Sequence, residues 1–587
     1  MAAAGTLADP KPLARVVAAS LSAVCMVLAC PSYDLWWLGF VGWVPWFWAI
    51  DGATPKRALL YGTLTGTITV FWGFFWMSEL LTKFAGFPLI GALPVTLLFA
   101  AWHGLLWGIS AAVGVWLHRR TGRSYLYLVP MAWVATEALL PNIFPIYMGL
   151  AWCWQPLWIQ TAEIGGVTMV AGFMLAINAA LYRTLRSAIV DNALEVRAAV
   201  VFVGLLVLLP TYGSIRISQV QSQMAAAPKL NFAVVQGNFS ILEMRNLRLK
   251  HPILRREQQM TRALQDQGAQ VALWGETAYP NPRAFTRQST SDLEERNPWR
   301  VQQDFDIPII FGTVTRDTTG REKYPFNTAL LIDGDGQVVG MYDKVYRLVF
   351  GEYVPVVDPD WYLSMVPNAS HIAQGAGAGV LELDAEGESS GKWRFGPFIC
   401  YEDILPRFVR DAANQRVHVF VNLTNDAWFG KTDEPWQHLG LAVFRAVEHR
   451  KGMVRSVNTG VSAYLDPTGR LVQSIDETEP DSEGPQPAEG FMAEVPMMDP
   501  DAQTLYGLTG ETFNVLMILG LVGLGWRRRE DGSTAQAETT DPDGTAGGDE
   551  ASDSGAHAPL AAPADDDDDD TDLADADPDD TEPTSVH

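Results

Sequence analysis

Long apolar runs dominate residues 13–215, and they constrain this chain more than any other feature. Each is close to the roughly 20 residues a helix needs to cross a bilayer. Only helices or closed barrels satisfy every backbone group in lipid, so runs of this length read as membrane helices. The pattern predicts spans over about 14–30, 33–50, 58–79, 90–117, 124–140, 162–183 and 197–214, with an eighth over about 509–526. Tryptophans bunch near the predicted ends, at Trp36, Trp37, Trp43, Trp46 and Trp48 and again at Trp152, Trp154 and Trp158. Amphipathic rings of this kind favour the bilayer interface. Val27-Leu28-Ala29-Cys30 looks like a lipoprotein signal, but a second apolar run starts at Leu35, so the segment reads as a first span.

Basic residues in the short loops set the orientation. One side carries Lys11, Arg15, Lys56, Arg57, Arg119, Arg120, Arg123, Arg183, Arg186 and Arg197, with Arg527 to Arg529 after the last span; the opposite short loops carry only Lys83. Positive charge stays inside. The sequence therefore predicts a multi-pass membrane protein with both termini cytoplasmic and residues 216–507 on the outer side. The uncharged stretch 141–160, broken by Pro141, Pro145, Gly149 and Pro156, is expected to lie in the outer interface and touch lipid. The few ionisable residues within the spans, among them Glu137 and His103, argue against a transport pathway.

The net charge of -25 is a local property. From Glu530 to the C-terminus there are twenty acidic residues and no Lys or Arg, which leaves 47 acids to 42 bases before the tail. Residues 528–587 are expected to be a disordered acidic tail. No basic stripe suggests nucleic acid. Four scattered cysteines give neither a disulfide framework nor a metal-binding pattern.

After Pro228 the texture changes to short apolar strands alternating with charged helical stretches. Strands are expected at 230–235, 271–274, 308–315, 327–332, 338–341, 393–399, 417–422 and 462–465, and helices at about 242–267, 404–415 and 437–451; residues 476–490 read as a loop. This alternation predicts a layered α/β sandwich. Polar residues sit where its strands stop: Glu276 after Trp274-Gly275, Lys344 after Tyr342-Asp343, Glu352 after Gly351, and Cys400-Tyr401-Glu402 after an apolar run. Singly, each reads as a solvated turn residue or a buried thiol. Together they hold the parts for acyl transfer. A carboxylate can take the thiol proton, and an ammonium group with a backbone N–H can stabilise the oxyanion that follows attack. His418 and His438, the nearest histidines in sequence to Cys400, sit in no recognisable dyad motif.

Glu276, Lys344 and Cys400 stand in the order and settings of the Glu-Lys-Cys triad of the nitrilase, or carbon–nitrogen hydrolase, superfamily. Further phrases resemble the apolipoprotein N-acyltransferase family: Val235-Gln236-Gly237-Asn238, Phe326-Asn327-Thr328-Ala329-Leu330, Phe350-Gly351-Glu352-Tyr353-Val354-Pro355, Ile399-Cys400-Tyr401-Glu402-Asp403, Asn422 to Gly430, Trp436-Gln437-His438, and Asn458-Thr459-Gly460 with Asp466-Pro467-Thr468-Gly469. The resemblance spans roughly residues 10–527. It implies a helical membrane domain (1–215), a nitrilase-like α-β-β-α sandwich (216–507) and a C-terminal span (508–527).

It also implies an activity. Cys400 would accept an acyl chain from a membrane phospholipid as a thioester and pass it to the α-amine of the diacylglyceryl-cysteine of an apolipoprotein. Glu276 would be the base and Lys344 the oxyanion stabiliser, with Glu352, Tyr401 and Glu402 in support. No metal or organic cofactor is implied, and the enzyme is expected to be a monomer. The sequence departs from the family pattern at Phe239 to Asn246, at Gly275 and at Val345 to Val349, so donor preference stays open. A membrane-tethered nitrilase-type hydrolase would share the triad. A non-catalytic membrane scaffold is the reading from another class, and the complete triad speaks against it.

Overall fold

A computed structural model of the chain describes residues 11–366, 369–385, 391–477 and 488–526. The arginines at 527–529, the acidic tail and most of the loop expected over 476–490 lie outside the described residues.

Four described helices are long and apolar enough to cross a membrane: Pro12–Ala29, Leu89–Thr121, Ala162–Ile189 and Val196–Ala226. A fifth is gained if Pro55–Gly73 and Trp76–Lys83, bent by 53° at a short break, form one span. The segments expected over 124–140 and 509–526 are the helices Tyr125–Leu139 and Thr512–Trp526, of 15 residues each. At about 1.5 Å per residue they are shorter than the ~30 Å hydrocarbon layer. The segment expected over 33–50 is not one continuous helix, although it returns beside Pro12–Ala29, so that Arg15 donates to the Ala49 and Asp51 carbonyls at 2.7 and 2.6 Å. It forms a 3₁₀ turn, Trp36–Phe40, and a seven-residue helix, Val44–Ile50. Gly39, Gly42 and Pro45 break the run, and the Trp43 and Trp46 rings fold inward.

Trp43 and Trp46 are therefore buried rather than interfacial. Trp43 packs against Trp46, Trp107 and Trp133 with ring centroids 4.6–5.2 Å apart. Trp37 and Trp48 remain exposed. The stretch 141–160 also differs from expectation. Met148 to Cys153 are buried in a 3₁₀ turn against the helices, and Ile143 is one of its outward-facing apolar residues. Helices Pro55–Gly73 and Leu89–Thr121 touch through paired small residues. A Cβ on Gly62 would lie 2.5 Å from the Trp107 carbonyl oxygen, and one on Gly104 2.6 Å from the Thr67 nitrogen. Close backbone approach of this kind takes the place of the hydrophobic effect between helices in lipid.

The second half is an α/β sandwich of two six-stranded sheets. Its strands are β1 (Lys229–Gln236), β2 (Val271–Trp274), β3 (Ile309–Thr315), β4 (Phe326–Ile332), β5 (Val338–Asp343), β6 (Leu381–Asp384), β7 (Lys392–Ile399), β8 (Val419–Thr424), β9 (Met453–Val457), β10 (Gly460–Leu465), β11 (Leu471–Glu477) and β12 (Glu489–Pro496). The first sheet runs β12-β1-β2-β3-β4-β5 and the second β11-β10-β9-β8-β7-β6. Each has three parallel strands at its centre, β1-β2-β3 and β7-β8-β9, with antiparallel strands outside. The central strands are almost continuously apolar and buried, as strands covered on both faces must be. Phe232 of β1 meets Phe395 of β7 edge-on, with centroids 5.7 Å apart, where the sheets face each other.

Helix Lys250–Gln265 covers the first sheet, while Pro406–Ala413 and Glu434–His449 cover the second. In Glu434–His449 the charged residues Arg445 and Glu448 are fully buried along with the apolar ones. The reason is a second neighbour, since the helix lies between the sandwich and the membrane helices. Glu448 accepts the Val167 N–H at 2.9 Å, and Gln437 accepts from the Trp76 indole at 3.1 Å. Arg450, just past its end, reaches Glu163 at 2.8 Å. The sandwich is thus fixed onto the membrane helices by buried polar contacts.

Candidate active site at the strand ends

Ligand sites in parallel sheets form outside the carboxyl ends of the strands. Here the ends of β2, β7, β8 and β9 converge. β2 stops at Trp274, and Gly275 lets the chain turn between the ends of β8 and β9: a Cβ there would stand 2.9 Å from both the Asn458 nitrogen and the Thr424 oxygen. Gly312 of β3 is equally demanding, because its Cβ would meet the Gly275 oxygen and the Thr277 nitrogen at 2.5 Å. Glu276 then donates its backbone N–H to Thr424 at 3.2 Å, which ties the first sheet's turn to the second sheet.

The Glu276 carboxylate is buried. One oxygen accepts from the Asn327 amide at 2.7 Å and from the Lys344 ammonium at 3.1 Å. Lys344 follows β5, its backbone bonded to the Asn327 carbonyl at 2.9 Å, and its Nζ also reaches Glu352 at 2.8 Å. The other Glu352 oxygen accepts the Leu348 N–H at 2.9 Å. Lys344 is only 1% exposed, so its charge is held by these two carboxylates with little help from water.

Cys400 opens a 3₁₀ turn, Cys400–Ile404, at the end of β7. Its φ of 58° is left-handed, which costs a non-glycine residue about 1–2 kcal/mol and points to a site that over-determines the backbone. The restraints are visible. Asn422 of β8 donates its side-chain amide to the Cys400 carbonyl at 2.9 Å. Glu402, fully buried, accepts four bonds: from Tyr342 O–H at 2.7 Å and from the backbone N–H of Ile399 (2.8 Å), Val345 (2.6 Å) and Tyr346 (2.9 Å). Tyr401 lies on the same turn and donates its hydroxyl to the Arg347 carbonyl at 3.1 Å. Glu402 thereby joins the thiol's turn to the strand that delivers Lys344. The segment 345–349, where the sequence departs from the family pattern, contributes backbone N–H groups here, and these survive side-chain change.

The groups share one electrostatic environment. Burial pushes the Cys400 thiol well above its usual range; Lys344 opposes this, and Glu276 and Glu352 reinforce it. Burial also raises Glu276, against the pull of Lys344 and Asn327. Burial alone would lower Lys344, but Cys400, Glu276 and Glu352 around it hold it well above the usual ammonium range. Burial raises Glu402 to about 7, opposed by the donors that surround it. Burial thus works against charge on the thiol and on Glu276, while the surrounding acidic groups favour it on Lys344.

Glu276, Lys344, Glu352, Cys400, Tyr401 and Glu402 are therefore one constellation. The role of Asn327 was not legible: it sits inside an apolar strand motif with nothing to mark its side chain as pointing at Glu276. Tyr342 was hidden in the same way. Among the described residues, Asp426, Glu434 and His438 are grouped closely enough to hold a metal ion. An Arg455 Nη lies 3.0 Å from Asp426 and 3.1 Å from His438, so a guanidinium already serves that group as its cation.

Two family models match successive parts of the chain. Residues 22–180 match the family model of the apolipoprotein N-acyltransferase N-terminal domain, and residues 232–481 match that of carbon-nitrogen hydrolase. The chain belongs to the apolipoprotein N-acyltransferase family. The apolipoprotein N-acyltransferase of Geobacter metallireducens is 28% identical over 483 residues, covering 79% of this chain and 87% of that protein. Those of Bdellovibrio bacteriovorus (28% identical, 78% and 84% covered) and Pseudomonas syringae (29%, 77% and 86%) are similar over the same extent. Among solved structures, Saccharomyces cerevisiae Nit3, a member of branch 10 of the nitrilase superfamily, aligns with a TM-score of 0.32 at 18% identity, covering 46% of this chain and 91% of that one.

Proposed function

We propose that this protein is a lipoprotein N-acyltransferase that works through an acyl-thioester on Cys400. The observation that carries the reading is the buried ion cluster Glu276–Lys344–Glu352, placed beside the strained Cys400 turn in a chain with four helices long and apolar enough to cross a membrane among the described residues. In the first half-reaction Glu276 takes the thiol proton as sulfur attacks an ester carbonyl of a membrane phospholipid. The oxyanion is stabilised by Lys344 and a backbone N–H. Collapse expels the lysophospholipid alkoxide, which recovers the proton from Glu276, and leaves the thioester. In the second half the neutral α-amine of a diacylglyceryl-cysteine attacks the thioester. Glu276 accepts the amine proton and returns it to the departing thiolate, so the cycle closes with an amide and a free thiol.

Both substrates carry acyl chains, which explains why the sandwich is locked to membrane helices. Glu352 orients Lys344, while Glu402 and Tyr401 hold the nucleophile turn. The sandwich works on the outer face of the inner membrane, with both termini cytoplasmic and the enzyme a monomer; the loop charges favour this sidedness. Purified protein in mixed micelles with phospholipid and a synthetic diacylglyceryl-cysteine peptide tests this. Mass spectrometry is expected to show peptide heavier by one acyl chain, together with lysophospholipid. Free fatty acid released with the peptide unchanged would make the protein a hydrolase instead.

A further inference from the structure

Behind the nucleophile turn lies a second charged cluster that the mechanism above does not use. Asp403, three residues after Cys400, is fully buried. Its two oxygens face different elements: His438 Nε2 of helix Glu434–His449 at 2.9 Å, and Arg455 Nη of β9 at 3.0 Å. The other terminal nitrogen of Arg455 bonds Asp426, on the loop after β8, at 3.0 Å and lies 3.1 Å from His438 Nδ1. The Asp403 carboxylate can only accept, so Nε2 of His438 carries a proton aimed at it; burial and Arg455 oppose charge on the ring, yet Asp403 and Asp426 raise its pKa to about 9. Arg455 and Asp403 are both 0% exposed and His438 is 2% exposed. A buried ion network of this kind adds little net stability, because desolvation cancels most of the attraction. Its location is the informative part.

We propose that Asp403, His438 and Arg455 are positioning residues for Cys400, a charged clamp that fixes the thiol's turn from the side opposite Glu402. The two clamps grip adjacent residues. Glu402 is held by Tyr342 and the N–H groups of residues 345 and 346, on the Lys344 side. Asp403 is held by β9 and the long helix, on the second-sheet side. Between them Cys400 keeps its left-handed backbone, and with it the direction of its sulfur. The clamp deepens the acyl-transfer reading and rests on Cys400 being the nucleophile.

The test pairs single-turnover acylation of Cys400 with the pH profile of its alkylation by iodoacetamide, read at the Cys400 peptide by mass spectrometry. The charged and titratable groups facing that thiol are Lys344, Glu276 and Glu352 from the first sheet, Tyr401 and Glu402 on its own turn, Asp426 after β8, and Arg455 on β9, with His438 and Glu434 of the helix behind them. Asp403→Asn is expected to slow acylation about 10²-fold with KM for phospholipid changed less than about twofold, as a misplaced nucleophile should. Its alkylation profile should shift, and Asp403→Glu should recover part of the rate. His438→Leu should behave like Asp403→Asn, whereas His438→Gln, which keeps a donor toward Asp403, should stay within about fivefold of wild type. If Asp403→Asn does not fold, the two His438 variants decide. Wild-type acylation and an unshifted profile in folded Asp403→Asn or His438→Leu would overturn the proposal, as would equal impairment of both His438 variants. If the wild-type protein alkylates normally but never acylates, the acyl-transfer reading fails while alkylation still reads the clamp.

Discussion

Glu402→Gln is the sharpest single perturbation of the site, because it changes one oxygen to NH₂ and almost no volume. One carboxylate oxygen accepts from Val345 and Tyr346 N–H, the other from Ile399 N–H and Tyr342 O–H. The Tyr342 hydroxyl can rotate to accept, but a backbone N–H cannot. If the new NH₂ faces Ile399, one donor is orphaned; if it faces the 345–346 pair, two are. The amide therefore settles with its oxygen on Val345 and Tyr346. It then loses a charge-assisted bond of about 1.5–3 kcal/mol and leaves a buried N–H that costs about 1–3 kcal/mol. These overlap in part, so a destabilisation of about 3 kcal/mol centred on the turn is expected.

The readouts are the thermal unfolding midpoint in detergent at one fixed scan rate and the single-turnover acylation rate of Cys400. The midpoint should fall, and acylation should drop by about 10²-fold or more because the sulfur is released from its fixed direction. Tyr342→Phe removes one of the four bonds and orphans no donor, so it should cost only about 1 kcal/mol and much less rate. Wild-type acylation in folded Glu402→Gln, or a Tyr342→Phe defect as large as that of Glu402→Gln, would refute the assignment of this carboxylate as the link between thiol and Lys344 strand.

Further outcomes follow from the same geometry. Asn327→Ala removes a bond that lowers the Glu276 pKa, so the rise of acylation rate with pH, already set above the ordinary carboxylate range by burial, should move to still higher pH; an unmoved profile would separate Asn327 from the base. Gly312→Ala places a methyl 2.5 Å from the backbone of the Glu276 turn and should remove most acylation while Cys400 alkylation persists; full activity would mean that the turn has room to shift. Arg321→Cys, on the exposed turn between β3 and β4, should react with a membrane-impermeant maleimide in spheroplasts; labelling only after lysis would invert the topology.

The sequence exposed those parts of the site that interrupt a hydropathy pattern. Glu276, Lys344 and Cys400 end apolar strands, so each stands out against the run before it, and the eight expected strands all exist with bounds shifted by a few residues. Groups inside strands were invisible. Arg455 and Ser456 break the apolar pattern of β9, which hid that strand, and the same Arg455 turns out to bind Asp403. β12 alternates weakly and gains its place only by pairing with β1, more than 250 residues away in sequence. β6, with two acidic residues in four, gave too little apolar signal to mark a strand.

In the membrane half, composition alone could not separate a continuous helix from a broken one. Residues 33–50 are apolar enough for either, and the decision is made by close packing. A Cβ on Gly39 would stand 2.4 Å from the Trp152 indole nitrogen, and one on Gly42 2.9 Å from Cys25 Cβ. The helix Glu434–His449 is a second case. Its charged groups find partners on the membrane helices, Val167 for Glu448 and Glu163 for Arg450, which the sequence pattern does not show.

The central claim is that Cys400 carries the acyl group between donor and acceptor. Intact-protein mass spectrometry after incubation with phospholipid alone, without any amine acceptor, tests it most directly. The expected result is a mass increase of one acyl chain, localised to the Cys400 peptide, released by hydroxylamine and discharged on adding diacylglyceryl-cysteine peptide. An unmodified Cys400 in protein that nevertheless acylates the peptide, or the same adduct on the Cys400→Ala variant, would contradict the account.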